Sequence, residues 1–240
     1  YDRYLYQFIS KEFPDDVDFD FKKMNIMSLD IEVQCENGFP NVLECAEEML
    51  SITVQDYVTR KIKVFGTRPY KNTRDDVEYI LCDSEEHLLR AFLDHWVQNF
   101  PDILTGWNVE LYDVPYICGR LERLFGTKEM KLMSPWNIVH DDEIEIKGRK
   151  NKVYNIYGIN VMDYMDLYKK FTYTNQESYR LDHIAHVELG QRKLDHSEHE
   201  NFKAFYTNDW QKFIDYNIID TELVVRLEEK MKLIELAVAL

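Results

Sequence analysis

Apolar and polar positions alternate through residues 24–33: Met27, Leu29, Ile31 and Val33 form one set, Ile26, Ser28, Asp30 and Glu32 the other. Successive side chains of a strand point to opposite faces, so this run predicts a strand with one apolar face and one that carries two acids. Two further β-rich runs, 51–57 and 61–65, stand a few residues apart and predict a hairpin or meander. A helix is expected from Ser84 to about Asn99. Ser84 caps it, Glu85 and Glu86 occupy its first turn, and Leu88, Leu89, Phe92, Leu93 and Trp96 line one side.

Pro101-Asp102 ends that helix; 103–107 reads as a short strand and 114–125 as a helix stopped by Gly126. Ile144-Glu145-Ile146 and residues 153–159 flank the polar run Lys147-Gly148-Arg149-Lys150-Asn151-Lys152. That arrangement predicts a hairpin with a basic, exposed tip, inserted at about 138–160. Helices are expected at about 163–170, 179–188 and 208–235. Strands first, then helices alternating with strands, point to an α/β fold with a mixed sheet covered by helices. Residues 1–23 mix aromatics with the acidic Asp15-Asp16-Val17-Asp18 and read as a connector or an edge element.

Composition narrows the classes. With 45% apolar residues, 14% aromatics and only 8 Gly and 6 Pro, the chain has ample core material and is not low-complexity. No apolar run approaches a membrane span and no signal peptide opens the chain, so no membrane partner is expected. Cysteines at 35, 45, 82 and 118 lack CxxC spacing and read as free thiols of a reducing cytoplasm. The pairs His183/His186 and His196/His199 have no Cys partners and read as solvated or capping histidines rather than a zinc site. Tyr1 at the start and the apolar Leu236-Ala237-Val238-Ala239-Leu240 at the end suggest a piece of a longer protein. A net charge of −15 argues against gripping duplex nucleic acid through its phosphates alone. It leaves room for an enzyme acting on nucleic acid, because ligand carboxylates add charge that a bound cation cancels locally.

Three segments carry the candidate chemistry. Asp30 and Glu32 lie two apart on a strand, on the same side and roughly 7 Å from each other along it. Asp113 follows Thr105-Gly106-Trp107-Asn108 where a helix begins. Tyr216 and Asp220 are four apart in a helical pattern, on one face and roughly 6 Å apart along the axis. Each has a plain alternative: acids of a solvated edge strand, an N-cap aspartate before Val114-Pro115, and the wet side of an amphipathic helix. Together they suggest carboxylates gathered around a divalent cation, since a core otherwise excludes them.

These segments resemble the Exo I (Asp-Ile-Glu), Exo II (Asn-x-x-x-Tyr-Asp) and Exo III (Tyr-x-x-x-Asp) motifs of the 3′→5′ proofreading exonuclease domain of family B DNA polymerases. The wording around them, in 27–33, 105–117, 159–171, 178–184 and 216–220, is similar to polymerases of T-even-type bacteriophages. The resemblance runs from about residue 24 to the end and implies a ribonuclease H-like fold, with a mixed five-stranded sheet flanked by helices and a β-hairpin insertion. Residues 24–240 are then the exonuclease domain and 1–23 a connector from a preceding domain.

The resemblance further implies two divalent ions, Mg²⁺ or Mn²⁺, one held by Asp30, Glu32 and Asp220, the other by Asp30 and Asp113. Tyr216 and Glu32 orient the attacking water. Phe39 stacks on a terminal base, Asn108 sits near the scissile bond, and Lys193 is a basic residue near the site. The basic tip at 147–152 matches a hairpin that helps to part primer from template. The implied substrate is the 3′ end of single-stranded DNA, and the product a nucleoside 5′-monophosphate. Nothing resembles the palm signatures of these polymerases, so a palm domain in cis or in trans supplies nucleotide incorporation. Replisome accessory proteins, and the host cytoplasm for a phage-encoded chain, complete the expectation. Two alternatives stay open: a catalytically silent module that positions single-stranded DNA, and a related 3′→5′ exoribonuclease.

Overall fold

The computed structural model describes residues 3–15, 20–36, 38–146, 148–191 and 198–240. A helix, α1 (Arg3–Glu12), occupies part of the expected connector. Four strands follow: β1 (Ile26–Val33), β2 (Met49–Asp56), β3 (Ile62–Gly66) and β4 (Val77–Leu81). Then come α2 (Glu85–Gln98), β5 (Ile103–Gly106), α3 (Asp113–Phe125) and the short α4 (Thr127–Met130). A hairpin of β6 (Val139–Ile146) and β7 (Arg149–Ile156) precedes β8 (Asn160–Asp163). The remaining helices are α5 (Tyr164–Phe171), α6 (Leu181–Leu189), α7 (Phe202–Asn208), α8 (Trp210–Met231) and α9 (Leu233–Ala239).

The sheet is mixed, in the order β4-β3-β2-β1-β5-β8. β1 pairs antiparallel with β2 and parallel with β5, which puts it at the centre. The count is six strands rather than the expected five, because β4 adds a parallel edge beyond β3. β8, parallel to β5, closes the other edge.

Both faces of β1 are covered, as its alternation requires. Met27, Leu29, Ile31 and Val33 pack with Leu88, Leu89, Phe92 and Trp96 of α2 and with Ile117 and Leu121 of α3. α8 crosses the opposite face, where Phe213, Ile214 and Ile218 meet Leu50, Ile62 and Val64. Ser84 caps α2 through the His87 N–H, as its sequence suggests. Glu85 does more than decorate the first turn. It is buried, accepts the Met49 N–H at 2.8 Å and pairs with the Arg120 guanidinium of α3.

The hairpin is tighter than expected. β6 and β7 pair from Val139–Ile156 all the way out to Ile146–Arg149. Arg149 to Lys152 belong to β7, and two of the supposed tip cations are paired with β6: Lys150 with Glu143 and Lys152 with Asp141. Among the described residues, no helix is long and apolar enough to cross a membrane.

Candidate active site

The polar set of β1 faces α8. Ser28 Oγ donates to the Thr221 carbonyl at 3.4 Å, Asp30 bonds to Asn217, and Glu32 approaches Asp220. At the end of the strand the ladder slips: Glu32 pairs with Ser51 but Val33 with Met49, which leaves Leu50 outside the pairing. Bulges of this kind bend a strand and re-aim its side chains.

Asp113 reaches the same place from the other side. β1 and β5 stay paired only as far as Ser28–Thr105. The chain then turns through Asn108, whose φ of 65° lies in the left-handed region that Asn tolerates. Asp113 opens α3 and is 3% exposed. It is not the helix cap; that position is Tyr112, which makes no side-chain capping bond. Instead Asp113 Oδ1 accepts the Ile31 N–H at 3.0 Å. Burial, and then the charge of Asp30, holds its carboxyl well above the usual carboxylate range, against the opposing pull of that N–H.

One oxygen from each of Asp30, Glu32 and Asp220 lies within 4.8 Å of the others, and Glu32 and Asp220 are buried. Asp113 stands outside this group of three but lines the same cleft, of about 360 Å³, as do Tyr216, Asn108 and Phe39. Tyr216 is held edge-on by Phe205, with ring centroids 5.9 Å apart. Phe39 is 81% exposed and leans on Tyr112 at 5.0 Å, presenting a free aromatic face at the mouth. Lys193, and His196 of the second histidine pair, lie outside the described residues. His199 sits 3.6 Å from Glu198 and 3.8 Å from Asp209, the N-cap of α8, and stacks on Phe205.

Every acid in the cleft is a carboxylate, and several are desolvated. Such a group repels itself unless protonated or bridged by a cation. The clustered donors Asp30, Glu32 and Asp220 are all hard oxygens, which suit ions of the Mg²⁺, Mn²⁺ or Ca²⁺ class. The residues therefore fit a divalent cation.

Two residues escaped the sequence reading. Asn217, fully buried, donates to Asp30 from within the very run that contains Tyr216 and Asp220. Its signal is a polar side chain at the helical spacing of Phe213, Ile214 and Ile218, where an apolar one is expected. Asp163 ends β8 and caps α5 through the Met165 N–H, while also accepting the N–H groups of Asn108 at 3.1 Å and Glu110 at 3.2 Å. It ties the turn that delivers Asp113 to the edge of the sheet. Its short strand falls between the expected hairpin arm at 153–159 and the helix expected at about 163–170, where no sequence pattern marked it.

The family described as DNA polymerase family B, exonuclease domain, matches residues 2–184. The DNA-directed DNA polymerase of Escherichia phage RB69 is 31% identical over 261 residues, which takes in 98% of this chain and 29% of that protein. The corresponding enzyme of Enterobacteria phage T4 is 31% identical over 258 residues, 97% of this chain and 28% of that protein. The DNA polymerase of Bombyx mori nuclear polyhedrosis virus is 29% identical over 166 residues, 66% of this chain and 16% of that protein. The chain thus spans less than a third of the length of these relatives.

Proposed function

Because the chain belongs to the exonuclease-domain family of the family B DNA polymerases, we propose that it is the 3′→5′ proofreading segment of a DNA-directed DNA polymerase. It hydrolyses the terminal phosphodiester of a single-stranded DNA 3′ end and releases a nucleoside 5′-monophosphate. The observation that carries this reading is the meeting of Asp30, Glu32 and Asp220 within 4.8 Å in the cleft that Asp113 and Tyr216 also line. The likeness to the RB69 and T4 polymerases, over 98% and 97% of the chain, favours DNA over RNA.

In the reaction, water adds to phosphorus in line while the bond to the penultimate 3′ oxygen breaks. Two divalent ions, Mg²⁺ or Mn²⁺, when bound supply Lewis-acid stabilisation of the charge that develops on both oxygens. Asp30, Glu32 and Asp220 would hold one ion, and Asp30 with Asp113 the other. Glu32 and the Tyr216 hydroxyl orient the water by hydrogen bonds. Phe39 offers its exposed ring to the terminal base, a contact worth about 1–3 kcal/mol per base. Asn108 and Lys193 complete the grip on the strand end. Residues 24–240 form the hydrolytic unit, residues 1–23 connect it to a preceding domain, and a palm domain in cis or in trans feeds it frayed ends. Replisome accessory proteins and the cytoplasm of the host cell are its setting.

The test is degradation of a 5′-labelled DNA single strand by the purified chain with Mg²⁺, with and without chelator. Stepwise shortening from the 3′ end, lost on chelation, is expected. Binding without cleavage would instead mark a silent positioning module, and faster attack on an RNA strand an exoribonuclease.

A further inference from the structure

An amide buried between β1, β2 and α8 is oriented so that it can meet Asp30 in one way only. Asn217 is 0% exposed. Its Oδ1 accepts hydrogen bonds from Ser51 Oγ at 2.9 Å and Thr53 Oγ1 at 2.5 Å, and its Nδ2 donates to Asp30 Oδ2 at 2.5 Å. Ser51 and Thr53 are two apart on β2, so both hydroxyls reach the same face of the sheet as Asp30, whose Cα partner is Thr53. An ionised carboxylate only accepts, so the nitrogen end of the amide must face Asp30, which leaves the oxygen end to accept from the two hydroxyls. Reversing the amide would set its oxygen against the Asp30 carboxylate, while the Ser51 and Thr53 hydroxyls, which both donate and accept, adapt to whichever end faces them. An apolar residue at this helical position would fill the space without these bonds.

We propose that Asn217 is a positioning residue that aims the Asp30 carboxylate before any cation arrives, with Ser51 and Thr53 as the lock that holds the amide in place. This rests on the reading of Asp30 as a ligand shared by two ions. Asp30 is the acid whose direction matters most in that scheme, because it would be a ligand to both ions. The same amide fixes α8 against β1 three residues before Asp220, so it sets both the direction of Asp30 and its distance from Asp220. Hydrogen-bond partners of metal ligands typically change metal affinity or activity by about 10–100-fold when removed.

The experiment uses the full chain with Mn²⁺ alone, without DNA. Mn²⁺ binding is measured by calorimetry and by electron spin resonance, beside thermal unfolding in chelator. Asn217→Ala is expected to weaken Mn²⁺ binding about 10–100-fold. Thr53→Val keeps the amide and removes one lock, and is expected to weaken binding by a smaller factor in the same direction. The Mg²⁺ concentration for half-maximal strand shortening should rise in parallel. Unchanged Mn²⁺ affinity in both variants, with only a lower melting temperature, would overturn the inference and leave Asn217 a core amide. If Asn217→Ala does not fold, Thr53→Val alone decides. A native chain that neither binds Mn²⁺ nor shortens DNA defeats the proposed function itself; an active native chain with unchanged variants defeats only this inference.

Discussion

The Asp113 carboxylate accepts the main-chain N–H of Ile31 at 3.0 Å, where β5 has already left β1. A side chain thus takes up a strand donor that a neighbouring strand would otherwise satisfy, and it does so between the two acids of the Asp-Ile-Glu run. One bond closes the sheet and delivers a carboxylate to the cleft. The arrangement is costly for the metal-free protein, because it buries a charge beside Asp30.

Asp113→Asn keeps the acceptor for Ile31 and removes the charge. Strand shortening should fall by more than the roughly 10–100-fold typical of a residue behind a metal ligand. The fold should gain stability without metal. The Asp113 pKa is raised by burial and then by Asp30, so its contribution is fully present below the unfolded carboxylate pKa and is lost as pH rises. Thermal unfolding in chelator should show the variant's advantage growing from pH 4 to pH 8. A constant or shrinking difference would contradict this.

Asp163 titrates in a more accessible window. Burial pushes its carboxyl up to about 6, although the N–H groups of Glu110, Asn108 and Met165 pull it down. Its stability contribution is complete below about 3.8 and is lost as pH rises through about 6, a change of about 3 kcal/mol. Urea unfolding of the native chain and Asp163→Asn should therefore converge or cross over that interval. Asp163→Ala leaves N–H groups unpaired at about 1–3 kcal/mol each where they stay buried, and should loosen the turn at Asn108 as well.

Glu85 and Arg120 form a buried pair that also satisfies the Met49 N–H and the Cys45 carbonyl. Glu85→Ala should cost about 3–5 kcal/mol in urea unfolding, since it strands a buried guanidinium. The double variant Glu85→Leu with Arg120→Met should recover much of that loss. Equal losses in the single and double variants would show that the pair's worth lies in its backbone contacts.

Phe39→Ala should leave stability within about 0.5 kcal/mol, because an exposed ring resting on Tyr112 supports little core. KM for short single strands should rise, by an amount consistent with about 1–3 kcal/mol of lost stacking. An unchanged KM with a lowered melting temperature would make Phe39 a cover for the core.

Much of the fold was legible because periodicity is local. The alternation around Asp30 placed β1, Ser84 marked the start of α2, and Gly126, at φ 92°, ended α3. β4 was missed because an edge strand with exposed Glu78 and Leu81 lacks a clear apolar face. β8 has four residues and falls between the expected hairpin arm and the helix expected after it, and α7 follows a run of acidic and histidine residues that hides its start. The hairpin turn was drawn too wide because a basic run resembles a loop until its partners on the other arm are known. At the candidate site, spacing put Asp30 beside Glu32 and Tyr216 beside Asp220. It could not bring the two pairs together; the family resemblance implied that meeting. Asn217 and Asp163 act across long sequence separations, through partners that no local pattern names.

Leu50 stands outside the β1–β2 ladder, and its effect reaches beyond the bend it makes. The Asp30–Thr53 and Glu32–Ser51 pairs lie on one side of it, and the stretch from Gln34 to Glu48, with Phe39, lies on the other. An insertion or deletion in that stretch can be absorbed at the slip without shifting the acids by a step. Descendants of this chain are free to rebuild the lip around Phe39 while the acids of the candidate site are inherited unaltered.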